Sequence, residues 1–196
     1  MNTPTLETNR LVLRRFTPQD LEALYQIYRD REVNRFLPWF PLENLQQAQV
    51  FYAQRYAAKY AQPQGYAYAI CKKEDNFPIG YIKVDMDEAH DLGYGLRKEF
   101  WHQGIVTEAA QAVITQVKRD GLPYLTATHD RDNPRSGGVM QNIGMTYRYT
   151  YQERGEPKKE WVAFRFYQLN LTEPADYVWK GYWESHPIHW IEDTGV

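Results

Sequence analysis

The middle of the chain holds two strand-forming segments joined by one long amphipathic helix, and this unit constrains the fold more than any other feature. Residues 91–96 and 124–129 carry the strand signals, and residues 104–119 between them repeat apolar side chains at helical spacing. Two strands joined by a helical crossover are expected to run parallel in one sheet. The other strand segments follow one another through short turns, which favours antiparallel pairing.

Local signals extend this unit to a complete mixed domain. Thr17 and Pro18 mark a helix start, because a capping side chain precedes a proline at the first helical position, and Gly121 marks the end of the long helix. The predicted order is β-α-α-β-β-β-α-β-α-β-β, in the segments 10–16, 17–30, 42–61, 66–72, 77–86, 91–96, 104–119, 124–129, 133–144, 145–152 and 160–170. This order predicts the α/β class in its α+β form, with a mixed, mostly antiparallel central sheet flanked by helices.

Charge and cysteine content exclude several classes of protein. Lys and Arg number 23 and Asp and Glu 25, for a net charge of −2, so nucleic-acid binding is not expected. The single cysteine, Cys71, excludes an internal disulfide framework and favours a cytoplasmic protein. Residues 1–10 are polar and no apolar run approaches the roughly 20 residues of a membrane span, so neither a signal peptide nor a membrane contact is expected. His186, His189 and Glu184 are too sparse a set of ligands, so no metal is expected.

Two segments carry residues suited to chemistry. Gly104 precedes the long helix, and a helix N-terminus offers unpaired N–H groups and a positive dipole end to a phosphate. An ordinary strand-to-helix turn is the alternative. Asn133-Pro134-Arg135-Ser136 follows the next strand, where Asn133 either caps the following helix or places its side chain on a ligand.

Taken together, these segments resemble the GNAT family of acyl-CoA-dependent N-acetyltransferases, in the branch whose members acetylate the N-termini of ribosomal proteins. The resemblance covers roughly residues 4–171. Four blocks carry it, in the order found in the family: Leu6-Glu7-Thr8-Asn9-Arg10-Leu11-Val12-Leu13-Arg14, Phe36-Leu37-Pro38-Trp39, Gly93-Tyr94-Gly95-Leu96 with Trp101-His102-Gln103-Gly104-Ile105-Val106-Thr107-Glu108-Ala109, and Asn133-Pro134-Arg135-Ser136 with Asn142-Ile143-Gly144-Met145.

The resemblance implies a GNAT domain at residues 1–171 and direct transfer of an acetyl group from acetyl-CoA to a primary amine, with a protein N-terminus as one acceptor. The implied partners are acetyl-CoA and the amine, in a monomer or a homodimer. Acetylation of a small amine (a polyamine, an amino acid or an aminoglycoside) is the alternative. A CoA-binding module without catalysis is a further alternative, because Val106 and the pair Gly137-Gly138 depart from the family's usual pattern.

The resemblance also assigns site residues. Ser136 is implied as the acid for the leaving thiolate, with Tyr149 or Tyr167 as alternatives. Asp91 is implied as the base, and His90 is the alternative. Neighbouring residues on a strand point to opposite faces, so only one of the two can face the cleft. The implied cofactor-binding residues are Tyr94, Gly95, Leu96, Trp101, His102, Gln103, Gly104, Ile105, Val106, Thr107, Asn133 and Ser136. The implied acceptor-side residues are Leu37, Trp39 and Phe40.

Residues 172–196 form an aromatic-rich C-terminal extension beyond the region of resemblance. Its aromatic residues are Tyr177, Trp179, Tyr182, Trp183 and Trp190. Such density argues against an unstructured tail. We expect the extension to pack on its own domain; a dimer interface and a cover over the acceptor cleft are the alternatives.

Overall fold

A computed structural model of the chain describes residues 2–155 and 157–193. Met1, Glu156 in the predicted turn at 154–157, and residues 194–196 of the predicted extension lie outside the described residues. The helices are α1 Leu21–Arg29, α2 Leu45–Tyr52, α3 Ala58–Tyr60, α4 Ile105–Arg119, α5 Pro134–Asn142 and α6 Gly181–Ser185. The strands are β1 Leu6–Glu7, β2 Leu11–Arg14, β3 Tyr66–Lys72, β4 Pro78–Val84, β5 Leu92–Leu96, β6 Tyr124–Asp130, β7 Thr146–Gly155, β8 Glu160–Asn170 and β9 His189–Trp190.

The predicted mixed fold is confirmed, but the central sheet is divided into two. Strands β1 to β5 form one antiparallel sheet in chain order, and the second sheet has the order β6-β8-β7-β9. The two sheets meet at an isolated parallel bridge between Asp91 and Thr126, where the Thr126 N–H donates to the His90 carbonyl at 3.3 Å. The unit β5-α4-β6 is therefore the parallel crossover that the sequence predicts, and the sheets separate beyond the bridge.

Helices cover both faces of the first sheet, as β3 illustrates. Tyr68 and Ile70 pack in the core that α4 covers, whereas Ala69 and Cys71 pack in the core that α1 and α2 cover. All four are fully buried, because successive strand side chains point to opposite faces. Burial raises the pKa of the Cys71 thiol to about 12, so this cysteine is a packing residue rather than a nucleophile.

The second predicted helix differs in detail from the structure. It begins at Leu45 rather than at residue 42, because the Asn44 side chain accepts a hydrogen bond from the Gln47 N–H at 2.9 Å and caps the helix there. A π-helical turn at Ala53–Ala57 separates α2 from α3. The two-residue strands β1 and β9 were not predicted, because so short a segment carries no periodic pattern.

The C-terminal extension packs on its own domain, as preferred from the sequence. Trp179, Tyr182 and Trp183 cover a cluster on β7 and β8 that includes Tyr151 and Phe166. β9 then pairs with β7 in antiparallel register. No helix in the described part of the chain is long and apolar enough to cross a membrane.

Candidate active site

The separation of β5 from β6 opens a gap lined by strand-edge groups. The Asp91 carbonyl accepts from the Asp85 N–H at 3.0 Å, which directs it toward β4. The Arg97 N–H likewise donates to the Ile79 carbonyl at 2.9 Å. Because these groups alternate along a strand, the N–H and carbonyl of Tyr94 point the other way, toward β6. The gap can therefore pair with the amide groups of an extended ligand.

A cavity of about 330 Å³ opens at this gap. Its walls come from the loop at residues 35–39, from β4, β5 and β6, from α5 and the residue before it, from the β7–β8 hairpin and from α6. The predicted site residues that line it are Leu37, Trp39, Asp91, Tyr94, Asn133 and Ser136. The structure thus brings together predicted residues from three distant segments of the chain.

Asp91 lies on the cavity wall at the bridge where the sheets separate. Its Oδ1 atom is buried and has no hydrogen-bond partner among the described residues. Burial raises the pKa of this carboxyl to about 6, although the charge of Lys83 opposes the shift. A carboxyl with this pKa is mostly ionised at neutral pH and still binds a proton readily, which suits a general base.

His90 lies outside the cavity. Its ring packs against Tyr124 with the centroids 5.3 Å apart, and its backbone is left-handed with φ of 49°. From the sequence, Asp91 is preferred to His90 as the base, and of the two only Asp91 lines the cavity.

Asn133 and Ser136 form a polar pair at the start of α5. Asn133 Nδ2 donates to Ser136 Oγ at 3.0 Å, which leaves the hydroxyl proton of Ser136 free for another acceptor. Asn133 occupies the N-cap position, yet its side chain makes no capping hydrogen bond within residues 2–155 and 157–193. The Tyr94 hydroxyl donates to the Ser136 carbonyl at 2.7 Å. This bond ties β5 to α5 and positions the first turn of the helix.

The two alternative acids lie in packed regions. The Tyr149 hydroxyl donates to the Trp179 carbonyl at 3.3 Å, beneath the C-terminal extension. Tyr167 packs against His129 with the ring centroids 5.5 Å apart. Both tyrosines are buried, so Ser136 is the better placed hydroxyl.

His129 is a cavity residue that sequence reasoning missed. Its Nδ1 lies 2.8 Å from the Asp130 carbonyl, which can only accept, so the proton is on Nδ1 and Nε2 is a bare acceptor. Nε2 is buried without a hydrogen-bond partner in the described ranges, and burial lowers the pKa of the ring. A Cβ at Gly137 would lie 2.7 Å from Nε2. Glycine at this position therefore makes room for the His129 ring, which gives this departure from the family pattern a packing explanation.

The start of α4 presents free backbone donors. Gly104 is the N-cap in a left-handed conformation with φ of 69°, and no side chain among the residues described caps the helix. The first intrahelical bond runs from the Glu108 N–H to the Gly104 carbonyl at 3.0 Å. The N–H groups of Ile105, Val106 and Thr107 are therefore left for a ligand or water. The Ile105 side chain is buried in the core, so only its backbone can contact a ligand.

The acidic residue in this first turn is neutralised by the N-terminal segment. Arg10 Nε lies 2.6 Å from one carboxylate oxygen of Glu108, and the Thr8 hydroxyl donates to the other at 2.6 Å. Arg10 Nη1 also donates to the Gln103 carbonyl at 3.0 Å. The helix start can therefore attract an anion despite Glu108.

The remaining predicted cofactor residues shape the loop between β5 and α4. Trp101 Nε1 donates to the Leu96 carbonyl at 2.8 Å, and the Arg135 guanidinium lies 4.8 Å from the Trp101 ring centroid. His102 and Gln103 are exposed on the loop. Gly95 on β5 lies opposite Tyr81 of β4; Leu96 is buried in the core.

The predicted acceptor loop contributes to the cavity in part. Trp39 lines it, and Trp39 Nε1 donates to Asn34 Oδ1 at 3.0 Å. Phe40 does not line this cavity. It lines a neighbouring pocket, and 63% of its surface is exposed. Lys158, from the β7–β8 turn, donates to the carbonyls of Asn34 at 3.2 Å and Arg35 at 2.6 Å, and so ties the hairpin to this loop. Sequence reasoning missed Lys158, because a hairpin lysine carries no sign of its distant partner.

Comparisons with known proteins agree with the geometry. A family model described as acetyltransferase (GNAT) domain matches residues 10–146. The chain is similar to "Uncharacterized N-acetyltransferase YoaA" of Bacillus subtilis, 30% identical over 159 residues that cover 76% of this chain and 89% of the relative.

Two solved structures share the fold. One, from Vibrio cholerae and described as a candidate ribosomal-protein-serine acetyltransferase, has a TM-score of 0.73 and 22% identity, and the match covers 87% of this chain and 99% of that one. The other is the microcin C7 self-immunity acetyltransferase MccE in complex with acetyl-CoA and AMP, with a TM-score of 0.73, 18% identity and coverage of 83% and 93%. In the described part of this chain, no cluster of three or more His, Cys, Asp or Glu side chains could hold a metal ion.

Proposed function

Because the chain belongs to the GNAT acetyltransferase family, we propose that the cavity between β5 and β6 is the place where it transfers an acetyl group from acetyl-CoA to a primary amine. The family uses acetyl-CoA, and the relatives that this chain resembles are named N-acetyltransferases. The observation that carries the placement is the buried, unpartnered Oδ1 of Asp91 on the wall of that cavity.

The residues present fit acetyl-CoA. The Tyr94 carbonyl in the gap can accept a hydrogen bond from an amide N–H of the pantetheine arm. The free N–H groups of Ile105, Val106 and Thr107 suit the pyrophosphate, because they are unpaired and lie at the positive end of the α4 dipole. Val106 does not conflict with this role, because the contact uses its backbone.

Three groups of this chain would carry the reaction. Bound acetyl-CoA supplies an activated thioester carbonyl. The Tyr94 N–H is directed into the gap, where it can stabilise negative charge on an oxygen. Asp91 accepts the proton that the acceptor ammonium must lose. As the C–N bond forms and the C–S bond breaks, Ser136, oriented by Asn133, gives its proton to the departing sulfur and takes up the second proton, which the nitrogen loses on becoming an amide.

We further propose a protein N-terminus as the acceptor, on the strength of the ribosomal-protein branch that the sequence motifs resemble. Small amines remain the alternative acceptors. Cytoplasmic location and a monomeric or homodimeric state stay predictions from the sequence.

Free-thiol release from acetyl-CoA across a panel of peptides and small amines tests the function. We expect turnover with at least one amine, and a loss of about a hundredfold in kcat in the Asn133→Ala/Ser136→Ala variant. Unchanged turnover in that variant would remove the assignment of the two residues. Binding of acetyl-CoA without turnover of any amine would favour a non-catalytic module, and no binding at millimolar concentration would refute the proposal.

A further inference from the structure

The C-terminal extension brings an aromatic side chain to the catalytic cavity. Tyr182, on α6, is a lining residue, although it lies beyond the residues 10–146 that the family model matches. The extension is therefore both a packing element and a part of the site.

Tyr182 is held in place by aromatic contacts on several sides. Its ring stacks on Tyr151, with the centroids 5.0 Å apart and an interplanar angle of 24°, and Tyr151 lines the cavity too. Trp179 meets it edge-on at 5.0 Å and 89°, and Phe166 at 6.0 Å and 80°. A ring fixed in this way presents a preformed surface to a ligand, so little conformational entropy is lost on binding.

Further contacts anchor the extension on the C-terminal side of α6. His186 Nε2 lies 3.1 Å from a carboxylate oxygen of Glu153, another lining residue. Closer to the C-terminus, Arg165 holds Glu192, with Arg165 Nε 2.9 Å from Oε2. The wall that Tyr182 forms is thus fixed to β7 and β8.

Aromatic side chains from other segments also line the cavity, beside the charged side chains of Asp130, Glu153 and Glu160. Trp39, Tyr94 and Phe164 line it from three other segments. Among the cationic lining residues, Lys83 is paired with Asp85 and Lys158 is bonded to backbone carbonyls. The aromatic part of the wall is therefore suited to an apolar or aromatic group on the acceptor.

Resting on the proposed function, we propose that Tyr182 determines acceptor specificity, by selecting a primary amine that is carried on an apolar or aromatic group. An aromatic acceptor gains both apolar burial and ring contacts against this wall, whereas a small alkyl amine buries less apolar area and makes no ring contacts.

Two amines that differ by one ring test the inference. We expect the wild type to acetylate 2-phenylethylamine with a kcat/KM at least about tenfold above that for ethylamine. Tyr182→Ala and Tyr182→Leu should remove most of this preference, while the Kd of acetyl-CoA stays within about twofold, and Tyr182→Phe should keep the preference because the ring is retained.

Tyr177→Ala is the matched control. Tyr177 is an aromatic residue of the same extension, but it packs against Tyr124 with the ring centroids 5.5 Å apart, away from the lining residues. This variant should keep the preference, and thermal unfolding of every variant shows whether the fold is intact.

Two outcomes would overturn the inference. They are a wild type without the preference, and an unchanged preference in Tyr182→Leu, whether or not turnover of both amines falls equally. A wild type that releases no thiol with any amine would instead refute the proposed function, on which the inference rests.

Discussion

Replacing Asp91 by Asn should slow catalysis and stabilise the fold at the same time. The carboxyl is held in the cavity wall with Oδ1 buried and unpartnered, so its ionised form is disfavoured in the folded state. Asn has nearly the same shape and carries no charge. The substitution therefore removes the proposed base without creating a cavity.

The magnitude follows from the pKa. Burial raises it from 3.8 to about 6, and this difference corresponds to about 3 kcal/mol. The folded state binds the proton more tightly than the unfolded state, so protonation of Asp91 stabilises the protein. That stabilisation is present in full below pH 3.8 and is lost as the pH rises through about 6. At pH 7.5 the ionised carboxylate thus costs the wild type up to about 3 kcal/mol.

Denaturant unfolding of both proteins at two pH values measures this cost. We expect Asp91→Asn to gain stability relative to the wild type at pH 7.5, and the difference to shrink by about 2 kcal/mol at pH 4.5, where folded Asp91 is protonated. Asp176→Asn is the control, because Asp176 is exposed in the extension and its substitution should leave the pH dependence unchanged.

The same variant tests the role in catalysis. Removal of a general base should lower kcat by about 10²–10⁴-fold, and the acid limb of the wild-type pH–rate profile near pH 6 should disappear. A variant that keeps full activity would refute the role as base. A stability difference that does not change with pH would refute the argument from burial, whatever the effect on activity.

Two further predictions concern the packing of α5 and the charge at the start of α4. Gly137→Ala should lower the free energy of unfolding by about 1–3 kcal/mol in thermal or denaturant unfolding, because its Cβ would meet the His129 ring. Gly138 has open space around it, so Gly138→Ala should be neutral or stabilising by up to about 1 kcal/mol. Equal effects of the two substitutions would contradict the packing argument. Arg10→Ala should raise the Kd of acetyl-CoA about three- to tenfold at low salt in a calorimetric titration, because Glu108 would then carry an uncompensated charge beside the start of α4. Adding Glu108→Gln should restore the affinity. A Kd that changes in neither variant would show that the CoA phosphates do not bind at this helix start.

Local patterns predict much of the fold because the elements are long and their boundaries are marked. The amphipathic face of α4 and the turn at Gly121 depend only on neighbouring residues. So does the 3-10 turn at Pro18–Asp20, which follows Thr17 and leads into α1 at Leu21. Division of the sheet into two could not be predicted in this way. It depends on which strands meet beyond the bridge between Asp91 and Thr126, and that pairing is a property of the whole domain.

The same distinction between local signals and long-range contacts applies to the candidate site. Residues that we propose to act through their own backbone or through near neighbours, such as Gly104 and the pair Asn133 and Ser136, could be identified from motifs. Lys158 and Tyr182 could not, because each reaches the cavity only through contacts with residues far away in the chain. Aromatic density in the extension is a signal of packing, but it does not say which ring faces a ligand.

Gly137 shows why a departure from a family pattern cannot be judged without its spatial partner. In the sequence, a glycine in the first turn of a helix indicates a weakened helix, since it costs about 1 kcal/mol relative to Ala. In the structure, the missing side chain is the space that the His129 ring fills, and the Tyr94 hydroxyl holds the same turn through the Ser136 carbonyl. The departure is therefore one half of a coupled pair, and it is no argument for lost catalysis. A paired exchange tests this coupling: Gly137→Ala should be tolerated better when His129 is also replaced by Ala than when the histidine remains, because the clash depends on both side chains.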